Sequence, residues 1–324
     1  MKRRSLLGGA ALAATAGLAV RQHWSARVPR RSRPRSHVAI LQCARYELTP
    51  RAVEDGFRLM TVPVRGKRVL LKPNLVEYSP VAPINTHPML IASVVEALRR
   101  LGAASVVVAD GPGHVRDTDL LLSESGLRAQ LDAVERVDFV DLNFDSVVRA
   151  FPTTGLTQLR EIWLPKTVLS ADIVISMPKI KTHHWAGVTL SLKNLFGIVP
   201  GSIYGWPKNL LHWEGIDNSI VELAATIPIH CVIADGIEAM EGNGPLHGPM
   251  KRLGCLVFAD DPVAADATCC RLMGIEPSRI RHLQLASPLG NLEAQRIEQC
   301  GENIESVSRQ FDLLPEFAYL RGQL

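Results

Sequence analysis

IVISMPKIKTHHWAGVTLSLKNLFGIVP, residues 173–200, changes character within its own length. Ile173 to Met177 is an apolar run that predicts a buried strand. The next eighteen residues then bring Lys179, Lys181, His183, His184, Thr189, Ser191, Lys193 and Asn194. The stretch closes on a Gly/Pro loop. A lysine pair just past a strand, with a third lysine on the following element, collects positive charge around one anionic group.

The flanking chain repeats the pattern of a buried strand followed by a charged or Gly/Pro cluster. Val69–Leu71 leads into Lys72-Pro73-Asn74, where Pro73 lacks an N–H and predicts the end of pairing. His87–Leu101 carries apolar residues at helical spacing, with Pro88 in its first turn and Gly102 as its stop. Ser105–Ala109 is a second apolar strand and ends at Asp110-Gly111-Pro112. Strand, helix, strand at this spacing is a βαβ unit.

Downstream, Thr118–Val134 reads as one helix and Asp138–Leu142 as a strand. His230–Ala234 is a strand ending at Asp235-Gly236, and Cys255–Ala259 a strand before the Asp260-Asp261-Pro262 turn. Residues 197–213, rich in Gly, Pro and Trp and with little periodicity, read as a lid or binding loop. Residues 294–311 fit either a helix or a hairpin. The fold class that follows is α/β, a mostly parallel sheet flanked by helices. Its ligand crevice is expected at the carboxyl ends of the strands.

The chain has 324 residues, of which 47% are hydrophobic and 21% charged, which suits a sizeable core. Its formal charge of +4 is concentrated at one end. Residues 1–35 hold nine of the 36 basic residues and no acidic one, so the remainder carries 27 basic against 32 acidic residues, a net of −5. An acidic body argues against nucleic acid as a partner.

Lys2-Arg3-Arg4-Ser5-Leu6-Leu7 resembles a twin-arginine export motif, followed by a short apolar stretch and a basic tether. Residues 1–36 are therefore expected to be an export signal and tether. Residues 37–324 are expected to form a single α/β domain, with two subdomains as the alternative. The expected location is periplasmic or cell-surface, reached through the twin-arginine machinery. Membrane contact would come only from an uncleaved leader. The six cysteines make no C-x-x-C pair, so no iron–sulfur cluster is expected.

The strand-end clusters supply the candidate site. Lys72, His183 and Lys193 are the candidate catalytic residues, because a lysine crowded by other cations is pushed toward neutrality and can move protons. Lys179, Lys181, Asn74, Asn194, Gly242 and Gly244 are the candidate substrate-binding residues, the two glycines as part of a loop that could offer backbone N–H groups. Asp235, Glu241 and Asp266 are candidate oxygen ligands for a divalent cation, the one cofactor the residues suggest. Of the two adjacent histidines, His183 is favoured, since neighbours on an extended segment point apart.

Six pieces in this order resemble the domain-of-unknown-function 362 (DUF362) family: KPNLV, VADGP, MPKIKTH, VTLSLKNLFG, ADGIEAMEGNGP and DDPVAADA. The resemblance runs from about Val69 to Gly290. It implies importance for Lys72, Lys179, Lys181, His183, Lys193, Asn194, Asp235, Glu241, Gly242 and Asp266, and it supplies no reaction. Some family members carry ferredoxin-type cysteine clusters, which this chain lacks. There is no G-x-S-x-G, H-E-x-x-H, P-loop or G-x-G-x-x-G. The expectation is an enzyme acting on a small anionic ligand, carboxylate or phosphate. The alternative is a non-catalytic binding protein or chaperone for an anion or metal cofactor.

Overall fold

A computed structural model describes residues 34–113, 117–134 and 137–322. The expected export signal therefore lies almost wholly outside the described residues. The strands are β1 (Ser36–Gln42), β2 (Arg68–Pro73), β3 (Ser105–Asp110), β4 (Asp138–Asp141), β5 (Val147–Ala150), β6 (Ile162–Pro165), β7 (Ile173–Met177), β8 (Lys179–His183), β9 (Gly187–Thr189), β10 (Cys231–Met240), β11 (Met250–Lys251), β12 (Cys255–Ala259) and β13 (Ile297–Gly301).

The main sheet runs in the order β13-β1-β12-β10-β7-β2-β3-β4. From β10 to β4 every neighbour is parallel, while β12 is antiparallel to both β1 and β10. Helices cover both faces, which is why the central strands are apolar throughout. All five residues of β7 are buried. Successive residues feed opposite layers. Leu70, Val174, Ala234 and Val257 pack on one side, and Leu71, Ile175, Ile233 and Phe258 on the other.

The expected fold class holds, and several boundaries move. β2 continues through Lys72 and Pro73, because both pair with β7. Asp235 and Gly236 stand in the middle of ten-residue β10, flanked by β8 and β12. Gly236 is tolerated there because the strands close on it: a Cβ would meet Ile180 Cδ1 at 2.9 Å and the Cys255 carbonyl at 3.1 Å. The helix expected over 118–134 is two helices, Thr118–Glu124 and Leu127–Ala133, parted by Gly126 at φ +75. Residues 294–311 contain β13, parallel to β1, and a short helix Ile304–Val307. Residues 197–213 hold two short helices, Gly201–Tyr204 and Asn209–Trp213.

The decisive stretch is a strand switch. β7 pairs with the first half of β10, and β8 with the second half. Pro178 lies between them and has no N–H, so the ladder breaks there, while its carbonyl accepts from Asp235 N at 2.8 Å. β8 then turns back antiparallel into β9, and the helix Ser191–Asn194 follows. This excursion stands over the carboxyl ends of β2, β3 and β7 and roofs the crevice expected there.

Candidate functional site: a lysine-lined cavity

A cavity of about 210 Å³ opens at these strand ends. Asn74, Leu75 and Val76 reach it from the exit of β2, Gly111 and Gly113 from the exit of β3, and Lys181 and His183 from β8. Lys193, Asn194, Phe196 and Gly197 come from the element after β9. Lys208 and His212 close it from the 197–213 segment, and Pro245 and Leu246 from the glycine loop. Among the described residues no aspartate or glutamate lines it.

The three cavity lysines have few partners. Lys181 is fully buried and, among the described residues, donates only to the Ile84 carbonyl, at 2.7 Å. Burial, reinforced by Lys179 and Lys193, holds its pKa well below the ordinary lysine value. Lys193 is half-buried, with its Nζ 3.9 Å from the centre of the Phe196 ring. Burial, with Lys72 adding to it, brings its pKa down to about 7. Lys208 is buried, donates to Asn143 Oδ1 and lies over the Trp206 ring. Burial lowers it also to about 7, against the pull of Asp110 and Asp141.

Lys208 stands at φ +71, a left-handed conformation that a lysine enters at a cost. Lys208→Gly would relax that backbone while removing the amine. We expect a melting temperature equal to or above the parent's, with weaker binding of phosphate by calorimetry. A marked loss of stability would mean that the side chain there serves the fold instead.

The histidines divide by tautomer. His183 Nδ1 accepts from Trp185 N at 3.0 Å and Ala186 N at 3.2 Å, so its proton is on Nε2. Burial keeps this imidazole neutral, with a pKa well below the ordinary value. His183, a candidate catalytic residue by its position, is therefore a fixed N–H donor. His184 and His212 are the reverse. Their Nδ1 atoms donate to the carbonyls of Gly244 (2.8 Å) and Lys208 (3.0 Å), leaving each Nε2 with a lone pair. Both histidines of the pair line the cavity because a turn begins at His184 and ends the alternation of an extended strand. Two buried polar atoms on the cavity wall, Asn74 Oδ1 and Thr189 Oγ1, have no hydrogen-bond partner among the described residues.

Several other expected site residues lie elsewhere. Lys72 sits beneath the floor, in a fully buried pair with Asp110 at 2.7 Å. Its Nζ also donates to the Pro73 carbonyl and to Asn194 Oδ1. Burial pushes Lys72 down and Asp110 up, and their contact opposes both shifts. Asn194 lines the cavity, but its amide is occupied in holding Lys72 and the Ser176 hydroxyl. Lys179 is turned away from the cavity. It pairs with Asp235 at 2.6 Å and donates to Tyr46 Oη and the Glu238 carbonyl. The segment Ile84–His87 stands between the two lysine ends, bonded to Lys181 through Ile84 and to Asp235 through His87.

The three carboxylates expected to hold a cation do not meet. Asp235 is taken by Lys179 and Tyr46. Glu241 pairs with Lys251 at 3.1 Å and accepts from Asp312 N. Asp266 accepts from Ser191 N and Leu192 N at the start of the helix Ser191–Asn194, and burial pushes its pKa up to about 8. Among the described residues no three His, Cys, Asp or Glu side chains form a group able to hold a metal ion. Gly242 and Gly244 build the loop and do not line the cavity. Gly242 N donates to the Asp312 carbonyl, and a Cβ on Gly244 would fall on the Thr182 carbonyl oxygen.

Sequence reasoning missed Lys208, His212 and the role of His184. A lysine and a histidine in the aromatic loop 197–213 were the available signal, since loops of that kind often form a site wall.

Fold and cavity together define an α/β protein with a crevice at a strand switch, walled by lysines and imidazoles. The chain belongs to the family described as Domain of unknown function (DUF362), whose model matches residues 69–271. The thylakoid-associated protein sll1697 of Synechocystis is 31% identical over 235 residues, covering 69% of this chain and 68% of that protein. Among solved structures, the lactate racemase apoprotein of Thermoanaerobacterium thermosaccharolyticum aligns with a TM-score of 0.46 and 13% identity, over 75% of this chain and 57% of that one. A protein from Thermotoga maritima aligns with a TM-score of 0.39 and 14% identity, over 60% and 51%. The chain thus spans little more than half the length of these two structures, and neither likeness bears on activity.

Proposed function

We propose that this protein is an enzyme acting on a small organic anion, a carboxylate or phosphate, bound in the lysine-lined cavity. One observation carries the reading: Lys181, Lys193 and Lys208 converge on a space that no described carboxylate enters. Elsewhere in the fold the buried lysines Lys72 and Lys179 have acidic partners at 2.7 and 2.6 Å. Unpaired buried amines are costly as cations, and an anion removes that cost.

The remaining groups suit proton movement. His184 and His212 offer imidazole lone pairs to a proton on the bound molecule. The neutral His183 Nε2–H can donate to an oxygen that gains charge, as a neutral imidazole does when its pKa is held low. The basic leader in residues 1–35 fits delivery of the folded protein across a membrane, and the proposal places its activity there.

The pH dependence tests the anion reading. In the unfolded chain Lys193 and Lys208 titrate near the ordinary lysine value of about 10.4. In the folded protein both titrate at about 7. Between these values the unfolded chain binds more protons, so these two groups make the free protein more stable as pH rises from 7 toward 10. A bound anion favours the ammonium forms, so binding takes up protons. Phosphate or oxalate affinity, measured by calorimetry, should fall roughly ten- to a hundredfold from pH 6 to pH 8. Affinity indifferent to pH, or no binding of either anion, would overturn the reading.

A further inference from the structure

Lys193 differs from the other cavity lysines in one respect. Lys181 donates to a backbone carbonyl and Lys208 to Asn143, so each of these amines is held in place by a donated hydrogen bond. Among the described residues Lys193 makes no hydrogen bond or ion pair, and its Nζ lies against the face of the Phe196 ring. Its Nζ stands at the edge of a cavity that also contains Leu75, Val76, Pro207 and Leu246, an apolar surround that disfavours an ammonium ion. An amine that titrates near neutrality, makes no hydrogen bond and opens onto a cavity is a nucleophile for an electrophilic carbon.

The acid–base groups that imine chemistry requires are in the same space. His212 packs edge-on against the same Phe196 ring, centroid to centroid 5.3 Å, with its Nε2 lone pair free. Trp185 lies edge-on to both His184 and His212 and, 57% exposed, forms part of the cavity rim.

Resting on the anion reading above, we infer that Lys193 forms a Schiff base with an anionic carbonyl compound, of which a small 2-oxo acid is the simplest. The Lys193 amine attacks the carbonyl carbon and forms the C–N bond, and the carbonyl π pair moves to oxygen. His212 Nε2 takes the proton from nitrogen and returns it to that oxygen. The second nitrogen proton, carried the same way by His212 Nε2, goes to the resulting hydroxyl as the C–O bond breaks, and the oxygen leaves as water with that bonding pair. The nitrogen lone pair completes the C=N bond. One amine and one carbonyl become one imine and one water, with no change of oxidation state. Lys181 and Lys208 hold the carboxylate, and His183 Nε2–H assists the developing oxygen charge.

The test is reductive trapping of the whole protein with glyoxylate and cyanoborohydride, followed by peptide mass mapping. The expected result is one carboxymethyl group, on Lys193, added faster than on any surface lysine and suppressed by excess oxalate. Lys193→Arg should remove that label while leaving the slow surface background. The parent protein also decides the question by itself, whether or not the variant folds. Labelling spread over surface lysines, or placed on Lys181 or Lys208, would overturn the inference. Oxalate binding measured on the same sample separates the two proposals. If oxalate binds with the expected pH dependence and Lys193 stays unlabelled, the imine fails and the anion site stands. If oxalate does not bind, the anion reading fails as well.

Discussion

Replacing Lys72 by methionine should lower the unfolding free energy by about 3–5 kcal/mol, the loss typical when one partner of a buried ion pair is removed. Methionine matches the length of the stem, so packing changes little. The loss comes from Asp110, which is fully buried and would keep a carboxylate without its ammonium partner at 2.7 Å. Its two amide donors, Leu75 N and Gly111 N, would remain. Adding Asp110→Asn removes the uncompensated charge, and the double variant should regain part of the stability. Denaturant unfolding of the four proteins gives the coupling directly. If Lys72→Met costs under about 1 kcal/mol, the pair is not held as a buried ion pair and this account of the cavity floor is wrong. The same variant checks the role once expected for Lys72: a substrate-contacting catalyst would lose turnover without losing stability.

Gly197→Ala should be at least as severe. A Cβ at position 197 would fall on Asp110 Oδ1 and lie 2.7 Å from Lys72 Nζ and 2.9 Å from its Cε. None of these atoms is a loose side-chain end, because both side chains are fully buried and bonded to each other. The added methyl must therefore part the ion pair or push out the segment that carries Lys193 and Asn194. Overpacking alone costs about 1–3 kcal/mol. Breaking the pair adds its own penalty, and together they reach about 4 kcal/mol or more. The expected outcome is an unstable protein, measured by thermal melting against Gly66→Ala. Gly66 has a positive φ, which Gly197 does not, and no atom lies within 4 Å of its Cβ position, so that substitution reports backbone strain alone. Equal losses from the two would leave the contact with the ion pair without weight.

Both predictions explain motifs that had looked like site residues. The glycine ending LSLKNLFG is there because the ion pair leaves no room for a side chain. The asparagine of the same motif orders Lys72 rather than a ligand. The last aspartate of DDPVAADA, Asp266, receives the first amides of the helix that carries Lys193. A motif can thus be built around a site and still spend most of its polar residues on holding the backbone in place.

Local chemistry determined a large part of this. Apolar runs bounded by Gly and Pro marked β2, β3, β7 and β12 close to their observed positions, and the first half of β10, since burial on both faces leaves a continuous hydrophobic signature. Helical spacing with a proline in the first turn and a glycine stop marked Pro88–Arg100. The placing of the crevice at the carboxyl ends of the parallel strands followed from those elements alone, as did the nomination of Lys181, His183, Lys193, Asn74 and Asn194, all of which line the cavity.

Tertiary structure decided which charge faces which. Lys72, Lys179 and Lys181 look alike in sequence, each at or near the end of an apolar strand. Two of them meet aspartates contributed by other strands, 38 residues away in one case and 56 in the other, and only Lys181 is left facing the cavity. Spacing along the chain carries no record of such encounters. The same holds for the histidines, whose free nitrogen is set by a carbonyl or amide brought from a neighbouring turn. Lys208 and His212 enter the site only because their loop folds back over the strand ends. An amine's pKa depends on everything packed around it, and that surrounding exists only once the chain has folded.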